Sequence, residues 1–335
     1  MNDLLKTLYA ATENELQRQI ARLDTPRTRE FHQMLTYHMG WTGAGAGPEA
    51  AGKRIRPQLL LLCAASSGGD WQKALPAAAA VELLHNFSLI HDDIEDHSDK
   101  RRGRATLWAC WGIPQAINAG DGLFVLCDLA LDDLAKNYSA QIALTAAKIL
   151  HQTSLRLTAG QYQDMSYEKR TDLNEADYWP MISGKTAALI AASCEIGAVL
   201  AEVGTPTRAA YREFGEALGL AFQVQDDLLG IWGDEAQTGK SAASDLLEGK
   251  KSLPVLYGLG QRGKFAARWE RGPISPVEVV QVSQFLAEEG ASGYTQNKAT
   301  EWTEKALTSL ESAHPYGEAG ATLHHLAQRL LGRSN

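Results

Sequence analysis

A helical spacing of apolar residues runs through nearly the whole chain and is the strongest constraint on its fold. Segments rich in Ala, Leu and Glu place apolar residues three and four positions apart, whereas alternating runs of Val, Ile and Thr are nearly absent. No internal repeat indicates a helical solenoid. The pattern therefore predicts an all-α fold, a single domain over residues 1–335 built as one large bundle of about ten or more helices.

Composition and charge narrow the classes of function. With 32 basic and 40 acidic side chains the formal net charge is −8, which argues against broad binding to nucleic acid or anionic membranes. The four cysteines lack C-x-x-C spacing, so no zinc knuckle or disulfide scaffold is indicated. The N-terminus lacks a signal-peptide pattern, and the most apolar stretch carries Glu195 and Glu202, so no membrane span is expected. We therefore expect a cytoplasmic protein.

An acidic cluster follows the apolar residues of one predicted helix. Asp92 and Asp96 lie one helical turn apart and Asp93 is adjacent, so three carboxylates crowd one surface. Like charges this close repel unless a cation compensates, and Mg²⁺ takes carboxylate oxygens together with water and phosphate oxygens. The cluster therefore suggests a metal site, although a solvated acidic helix end remains the alternative for this motif taken alone.

A second acidic pair, Asp226 and Asp227, follows another apolar helical segment. On that helix Gln223, Asp226 and Gly230 fall on one face. Two acidic pairs that each follow an apolar helix are hard to explain as coincidental solvated surfaces. Together they predict two carboxylate clusters able to hold metal ions around a polyphosphate.

Basic residues supply the counter-charge that such an anion needs. Lys53, Arg54 and Arg56 precede Pro57, which suits the first turn of a helix, where free N–H groups and the helix dipole favour anions. A second basic run over residues 100–104 follows the first acidic motif directly. Such runs are usually solvated surface. Beside metal-type carboxylates in an acidic protein, they instead favour a diphosphate site.

The order and spacing of these motifs, over roughly residues 50–255, resemble the trans-isoprenyl diphosphate synthase (polyprenyl synthetase) family. Three further segments carry the resemblance: Gly184-Lys185-Thr186, Thr238-Gly239-Lys240 and Gly249-Lys250-Lys251. It implies a helical bundle around a central cavity, usually a homodimer, that condenses isopentenyl diphosphate with an allylic diphosphate. It also implies three Mg²⁺ ions as cofactors, with Mn²⁺ as a substitute.

The same resemblance assigns roles to individual residues. The expected Mg²⁺ ligands are Asp92, Asp93, Asp96, Asp226 and Asp227. The residues expected to bind the allylic diphosphate are Arg101, Lys185 and Lys240, and those expected to bind isopentenyl diphosphate are Lys53, Arg56, His85 and Arg102. Secondary positions lining the cavity are matched by Gln161, Asp164, Thr186, Gln223 and Lys250, of which Thr186 and Gln223 are suited to stabilise positive charge. Gly230 departs from the pattern, because many members have a third aspartate there.

Product length depends on the helix that precedes Asp92. An α-helix descends about 5.4 Å per turn, so side chains one to two turns earlier can form the floor of a cavity for the growing chain. Those side chains are the small Ser88 and Leu84. The aromatic Phe87 lies toward the flank of the helix, and the family resemblance implies that it limits elongation, with simple packing in the core as the alternative. With no insertion between Asp93 and Asp96, the pattern resembles synthases that make geranylgeranyl diphosphate. That product is expected, with farnesyl diphosphate as the alternative.

Other classes of protein share parts of these motifs. A class I terpene cyclase would share the acidic motifs, but the filled isopentenyl diphosphate site favours chain elongation. A helical His/Asp phosphohydrolase would use His85 and His91 with Asp92, but would leave the basic clusters unused. Residues 233–240 resemble a phosphate-binding loop but have the wrong spacing. A catalytically silent partner subunit is the non-enzyme alternative, weakened because nearly every expected site residue is present.

Overall fold

The computed structural model of the protein describes residues 3–233 and 243–332. The prediction of an all-α fold is confirmed, because the described chain is built almost entirely from helices. They are α1 (Asp3–Ile20), α2 (Arg29–His38), α3 (Pro48–Ala51), α4 (Ile55–Ala65), α5 (Leu75–Glu95), α6 (Leu107–Trp111), α7 (Ile113–Asp132), α8 (Ala140–Tyr167), α9 (Glu175–Ile182), α10 (Ala188–Leu200), α11 (Thr205–Trp232), α12 (Ser244–Leu247), α13 (Leu253–Gln261), α14 (Lys264–Trp269), α15 (Val279–Glu288), α16 (Ala291–Ser312) and α17 (Gly317–Leu331).

Shorter elements complete this inventory. Single 3₁₀ turns cover Ala21–Leu23 and Asp133–Lys136, and a π-helical turn covers Ser183–Ala187. Within the described residues, the only strands are β1 (Lys100–Arg101) and β2 (Arg104–Ala105), which pair antiparallel.

The chain divides into two compact units. The first contains Met1–Gln152, Ala192–Ala209 and His314–Leu323. The second contains Thr153–Ala191, Ala210–Ala313 and His324–Asn335. The expectation of a single domain stays a prediction.

Helix α5 is the central element of the first unit. Pro76 lies in its first turn, where a missing N–H costs no hydrogen bond. Residues 77–80 are four alanines with no exposed surface, and such small side chains allow neighbouring helices to approach closely. The helix packs mainly against α7, and also against α4 and α1. This packing fixes the position of the acidic residues at its end.

The second unit is organised around close contacts between helix backbones. A Cβ atom added at Gly219 of α11 would lie 2.6 Å from the Cα of Ala187, and one at Gly215 would lie 2.7 Å from the Cα of Ala191. Only glycine permits this approach. Around it the core contains Tyr178, Met181, Ile182, Leu220, Val224, Leu253 and Leu256. The π-helical turn and the acidic end of α11 are therefore held by a tightly packed core.

Among the residues that the structure describes, one helical segment, Glu175–Leu200, is long and apolar enough to cross a membrane by length and composition alone. Within its most apolar stretch, however, 83% of the residues are buried inside the protein. Core helices of globular proteins have the same property. The segment therefore gives no support for a membrane span.

Candidate functional site

The first acidic cluster lies where α5 ends. A Schellman motif ends the helix: the N–H of His97, which has φ 54°, donates to Ile94 O, and the N–H of Ser98 donates to Asp93 O. The N–H of Asp96 still donates to Asp92 O at 2.9 Å. Asp92 and Asp96 therefore lie one turn apart at the helix terminus, in agreement with the spacing argument.

The three carboxylates of this cluster differ in their surroundings. Asp93 is only 3% exposed and accepts a 2.8 Å hydrogen bond from Arg101 Nε. Burial raises the pKa of Asp93 to about 6, although Arg101 opposes the shift. The Asp92 carboxylate lies 3.5 Å from Arg101 Nη2, and both Asp92 and Asp96 are more accessible to solvent. They are the better placed to meet a metal ion.

A short β-hairpin with a two-residue turn carries the basic residues that follow this cluster. Arg102 (φ 51°) and Gly103 (φ 75°) form its turn, and positive φ at both positions matches the twist of the paired strands β1 and β2. The hairpin places Arg101 against the acidic cluster. It places Arg102 against the chain before α4, where Nη1 donates to the carbonyls of Ala50 and Ala51 at 2.9 Å.

Arg102 belongs to a basic cluster with Lys53, Arg56 and His85, the residues expected to bind isopentenyl diphosphate. A Cβ atom at Gly52 would lie 2.4 Å from Arg102 Nη1, so only glycine leaves room for this guanidinium. Arg56 Nη1 lies 3.2 Å from His85 Nε2, and Arg56 Nε is buried without a hydrogen-bond partner. Lys53 is exposed beside them.

Electrostatics show that this basic cluster would favour an anion. Burial first, and then Arg56 and Arg102, hold the pKa of His85 well below its usual range, so its imidazole is neutral at pH 7. Burial also lowers the pKa of Arg56 and of Arg102. Cations that are buried near one another are stabilised by a bound anion, and a diphosphate oxygen could accept the unused Arg56 N–H.

The second acidic cluster lies in the second unit, near the end of α11. Asp227 is 5% exposed, and its carboxylate accepts hydrogen bonds from the Tyr178 hydroxyl (2.7 Å), Gln223 Nε2 (2.9 Å) and the Leu253 N–H (2.9 Å). Burial raises the pKa of Asp227 to about 7, against the effect of these donors. Asp226 is exposed. As at Asp92 and Asp93, the first aspartate of the pair is the accessible one.

Gly230 faces a carboxylate that sequence reasoning missed. A Cβ atom at Gly230 would lie 2.3 Å from Asp245 Oδ2, so the Asp245 side chain occupies the space beside the glycine. Asp245 is 8% exposed, and its Oδ1 lies 4.0 Å from Lys250 Nζ. The missing third aspartate of the motif was the signal in the sequence that could have prompted a search for a substitute carboxylate.

The predicted Lys185 and Thr186 lie in the π-helical turn. Lys185 Nζ pairs with the Asp164 carboxylate, and the backbone there approaches Gly160 so closely that a Cβ would lie 2.3 Å from Lys185 N. The Thr186 hydroxyl donates to Gln223 Oε1 at 2.8 Å. A hydrogen-bonded series therefore runs from Thr186 through Gln223 to Asp227.

Three other predicted residues have different positions. Gln161 is half-buried on α8, next to the turn that contacts Gly160. Lys250 Nζ pairs with Glu248 Oε2 at 2.8 Å. Lys240 lies outside the described residues, so its role stays a prediction.

The residues expected to limit product length lie on α5. Phe87 contacts Phe124 of α7, with ring centroids 5.0 Å apart, and His91, at 4.7 Å. The Ser88 hydroxyl donates to its own helix at His85 O, and Leu84 is fully buried. Phe124 is a residue that sequence reasoning missed, because contact between two helices is not visible in local spacing.

The carboxylates fit Mg²⁺ bound together with a substrate. Within residues 3–233 and 243–332, no three His, Cys, Asp or Glu side chains converge closely enough to enclose a metal ion by themselves. Mg²⁺ usually binds through one or two carboxylates, with water and substrate phosphates as its other ligands. The oxygen donors of Asp92 and Asp96, and of Asp226, are of this type.

Comparison with known proteins connects these clusters to one family. The family model described as polyprenyl synthetase matches residues 46–272. A geranylgeranyl diphosphate synthase of Mycobacterium tuberculosis is 38% identical over 84% of this chain and 81% of its own length. A (2E,6E)-farnesyl diphosphate synthase of the same species is 42% identical over 70% of this chain and 66% of its own length.

Solved structures of proteins named as polyprenyl or geranylgeranyl pyrophosphate synthases are also similar to this chain. A polyprenyl synthetase from Streptomyces coelicolor has a TM-score of 0.87 and 34% identity, with 98% of both chains covered. A geranylgeranyl pyrophosphate synthase from Corynebacterium glutamicum, complexed with isoprenyl diphosphate and magnesium, has a TM-score of 0.85 and 25% identity, with 99% of both chains covered.

Proposed function

The chain belongs to the polyprenyl synthetase family and is a trans-isoprenyl diphosphate synthase, and we propose that its main product is geranylgeranyl diphosphate. The reaction joins isopentenyl diphosphate to an allylic diphosphate in trans. Farnesyl diphosphate is the second candidate product, because the similar relatives include both geranylgeranyl and farnesyl diphosphate synthases.

One observation in the first unit carries the proposal of elongation. Adjacent residues of the hairpin join two sites: Arg101 contacts the acidic cluster, and Arg102, like Arg56, lies close enough to His85 to lower its pKa. A terpene cyclase needs the acidic cluster but has no second diphosphate to bind. A His/Asp phosphohydrolase would need His85 at a metal, but His85 is paired with Arg56. The two clusters together favour a reaction between two diphosphates.

Each group has a role in this reaction. Mg²⁺ bound to the aspartates supplies positive charge that stabilises the diphosphate leaving group. Arg101 and Lys185 bind the allylic diphosphate through charge-assisted hydrogen bonds, and Lys240 is proposed to do the same. Lys53, Arg56 and Arg102 bind and orient isopentenyl diphosphate. Three Mg²⁺ ions, with Mn²⁺ as a substitute, are part of the proposal.

The carbon chemistry needs no protein nucleophile. As the allylic C–O bond breaks, positive charge develops on the allyl group, and the isopentenyl double bond supplies the electron pair of the new C–C bond. A proton then leaves, and the departing diphosphate is the proposed base. The Thr186 hydroxyl donates a hydrogen bond to Gln223 Oε1, so the lone pairs of the Thr186 oxygen stay available to the developing positive charge. Exclusion of water prevents capture of the cation as an alcohol.

Product length is proposed to depend on the aromatic contact between α5 and α7. Phe87 and Phe124 together present more bulk than either side chain alone. Ser88 is small, and a small residue one turn before Asp92 leaves room for a chain longer than farnesyl. Phe87 is proposed to stop growth at geranylgeranyl, with Leu84 one helical turn further from Asp92.

We also propose a cytoplasmic homodimer. Helix α7 exposes four large apolar side chains, which together are called its apolar face: Ile113, Ile117, Val125 and Leu129. They follow a stripe that turns by about 40° at each step of four residues and is interrupted at the exposed Asp121. Large apolar side chains left exposed along one helix are typical of an interface. A second copy of the chain is the proposed occupant.

Removal of single aspartates tests the proposal. Asp92→Ala and Asp226→Ala should each lower turnover by about a hundredfold or more, because negative charge on the leaving diphosphate loses its stabilisation. The matched control is Asp172→Ala, which removes an exposed aspartate paired with Arg170 and should change turnover by less than about twofold. Turnover is measured with Mg²⁺ and again with excess chelator. Near-normal activity in either acidic-motif variant, or in chelator, would contradict the metal assignment.

A further inference from the structure

Arg54 is the most deeply buried cation of the basic motif over residues 53–56. It precedes α4 in the left-handed conformation (φ 47°, ψ 45°), which a residue with a Cβ adopts at a cost of about 1 kcal/mol or more. Its side chain is 1% exposed, whereas Lys53 is exposed and Arg56 is half-buried. The left-handed residue therefore directs one cation into the protein and leaves its two neighbours on the side of the basic cluster.

Two carboxylates and a carbonyl from three other elements hold the Arg54 guanidinium. Nε donates to Glu13 of α1 at 2.6 Å, Nη1 to Glu82 of α5 at 2.9 Å, and Nη2 to Met39 O after α2 at 3.1 Å. Burial alone would lower the pKa of Arg54, but Glu82 and Glu13 raise it above its usual value. The guanidinium is thus fully charged and fixed in a planar, multidentate arrangement.

Both carboxylates are themselves fixed. Glu13 also accepts a hydrogen bond from the Trp41 indole N–H, and Glu82 from Asn86 Nδ2 at 3.0 Å. Glu82 lies three residues before His85 on α5, which in turn contacts Arg56. The same ion-pair cluster therefore connects to the basic cluster both through the backbone of residues 53–56 and through α5.

We propose that Arg54 is a positioning residue for isopentenyl diphosphate, acting through Lys53 and Arg56 without touching the substrate. The inference rests on the proposed function, because it assumes that Lys53 and Arg56 bind this diphosphate. The guanidinium holds the strained turn in place, and Gln58 Nε2 supports it by donating to Lys53 O at 2.8 Å. Loss of the ion pairs would release the turn and displace two cations together.

Steady-state kinetics with each substrate varied in turn tests this role. Arg54→Met should raise KM for isopentenyl diphosphate about tenfold or more, because small displacements of binding groups have large effects. Glu13→Gln and Glu82→Gln each keep the shape of the partner side chain and remove its charge. Each should raise KM for isopentenyl diphosphate about threefold. Arg54→Lys keeps the charge, and its KM for isopentenyl diphosphate should lie between those of the wild type and Arg54→Met. KM for the allylic diphosphate should change less than about twofold in all four.

Arg208→Met is the matched control. Arg208 forms an ion pair with the buried Glu195 at 2.7 Å. Neither residue is near residues 53–56 in the sequence, and this ion pair does not include any of them. Its loss should leave both KM values unchanged. If Arg54→Met does not fold, the two glutamine variants decide the question.

The outcomes separate this inference from the proposed function. Wild-type protein that fails to incorporate isopentenyl diphosphate would overturn both. Active wild-type protein with variants that lose only kcat, at unchanged KM for isopentenyl diphosphate, would overturn the positioning role alone, because a merely structural residue lowers the amount of active enzyme. A selective rise in KM for isopentenyl diphosphate supports the role.

Discussion

Asp93 and Asp227, the second members of the two acidic pairs, are buried and hydrogen-bonded, whereas Asp92 and Asp226 are more accessible. The sequence motif predicts the same role, Mg²⁺ ligand, for both members of each pair, because adjacent aspartates are equivalent in such a motif. The structure separates them, since neighbouring helical residues differ in direction by about 100°. Their ligand roles stay predictions, but the accessible aspartates are the stronger candidates.

The raised pKa of Asp227, about 7, predicts a specific dependence of stability on pH. Its pKa in the unfolded chain is about 3.9. Between these values the folded protein keeps a proton that the unfolded chain releases, so this residue's contribution to stability is present at low pH and is lost as pH rises. Asp227→Asn should remove this residue's contribution to the slope of the free energy of unfolding against pH.

Urea unfolding of metal-free protein at several pH values from 4.5 to 7.5 measures the effect. Relative to Asp227→Asn, the wild type should lose about 3 kcal/mol of unfolding free energy across this range. The comparison cancels other groups that titrate in both proteins. Parallel pH profiles for the two proteins would contradict the raised pKa.

Gly230 provides a steric prediction, because Asp245 occupies the space beside it. Gly230→Ala should lower the free energy of unfolding by about 1–3 kcal/mol, since the Asp245 carboxylate must move from a packed position. Gly260→Ala is the matched control: it is also a helical glycine, but nothing lies within 4 Å of an added Cβ. That variant should be neutral or up to about 1 kcal/mol more stable. Equal effects at both positions, measured by urea unfolding, would contradict the account.

At the scale of elements, spacing predicted α5 and the positions of its aspartates well, because helical periodicity is a local property. The hairpin between β1 and β2 was not predicted: its four strand residues are too few to show an alternating pattern, and Arg102 at φ 51° gives no glycine signal. The π-helical turn around Lys185 was not predicted either. Its form depends on the contact with Gly160, a residue far from it in the sequence.

The contact between α5 and α7 predicts that two residues control product length together. Phe87→Ala and Phe124→Ala should each lengthen the main product by at least one isoprene unit, because each removes part of the same aromatic contact. Phe285→Ala is the control: it removes a partly buried phenylalanine that packs against a core cluster of the second unit, and it should leave product length unchanged.

Product sizing by liquid chromatography and mass spectrometry provides the readout for these variants. An unchanged distribution in a folded Phe87→Ala variant would exclude Phe87 as the stop. A shift in Phe87→Ala alone would exclude the shared role of Phe124.

At the scale of the whole molecule, the apolar face of α7 predicts self-association. Val125→Asp places a charge on this face, where Val125 is 55% exposed, and should convert a dimer into a monomer in sedimentation experiments. Val277→Asp is the control, because Val277 is 91% exposed but lies outside the face. A monomeric wild type, or a dimeric Val125→Asp variant, would contradict the proposed interface.

Incorporation of radiolabelled isopentenyl diphosphate into prenyl diphosphates is the decisive measurement of chain elongation by this protein. The purified protein is incubated with Mg²⁺ and, separately, with dimethylallyl, geranyl and farnesyl diphosphates. We expect label in geranylgeranyl diphosphate with each starter, and none in excess chelator. Consumption of the allylic diphosphate to unlabelled hydrocarbon, or no incorporation with any starter, would contradict it.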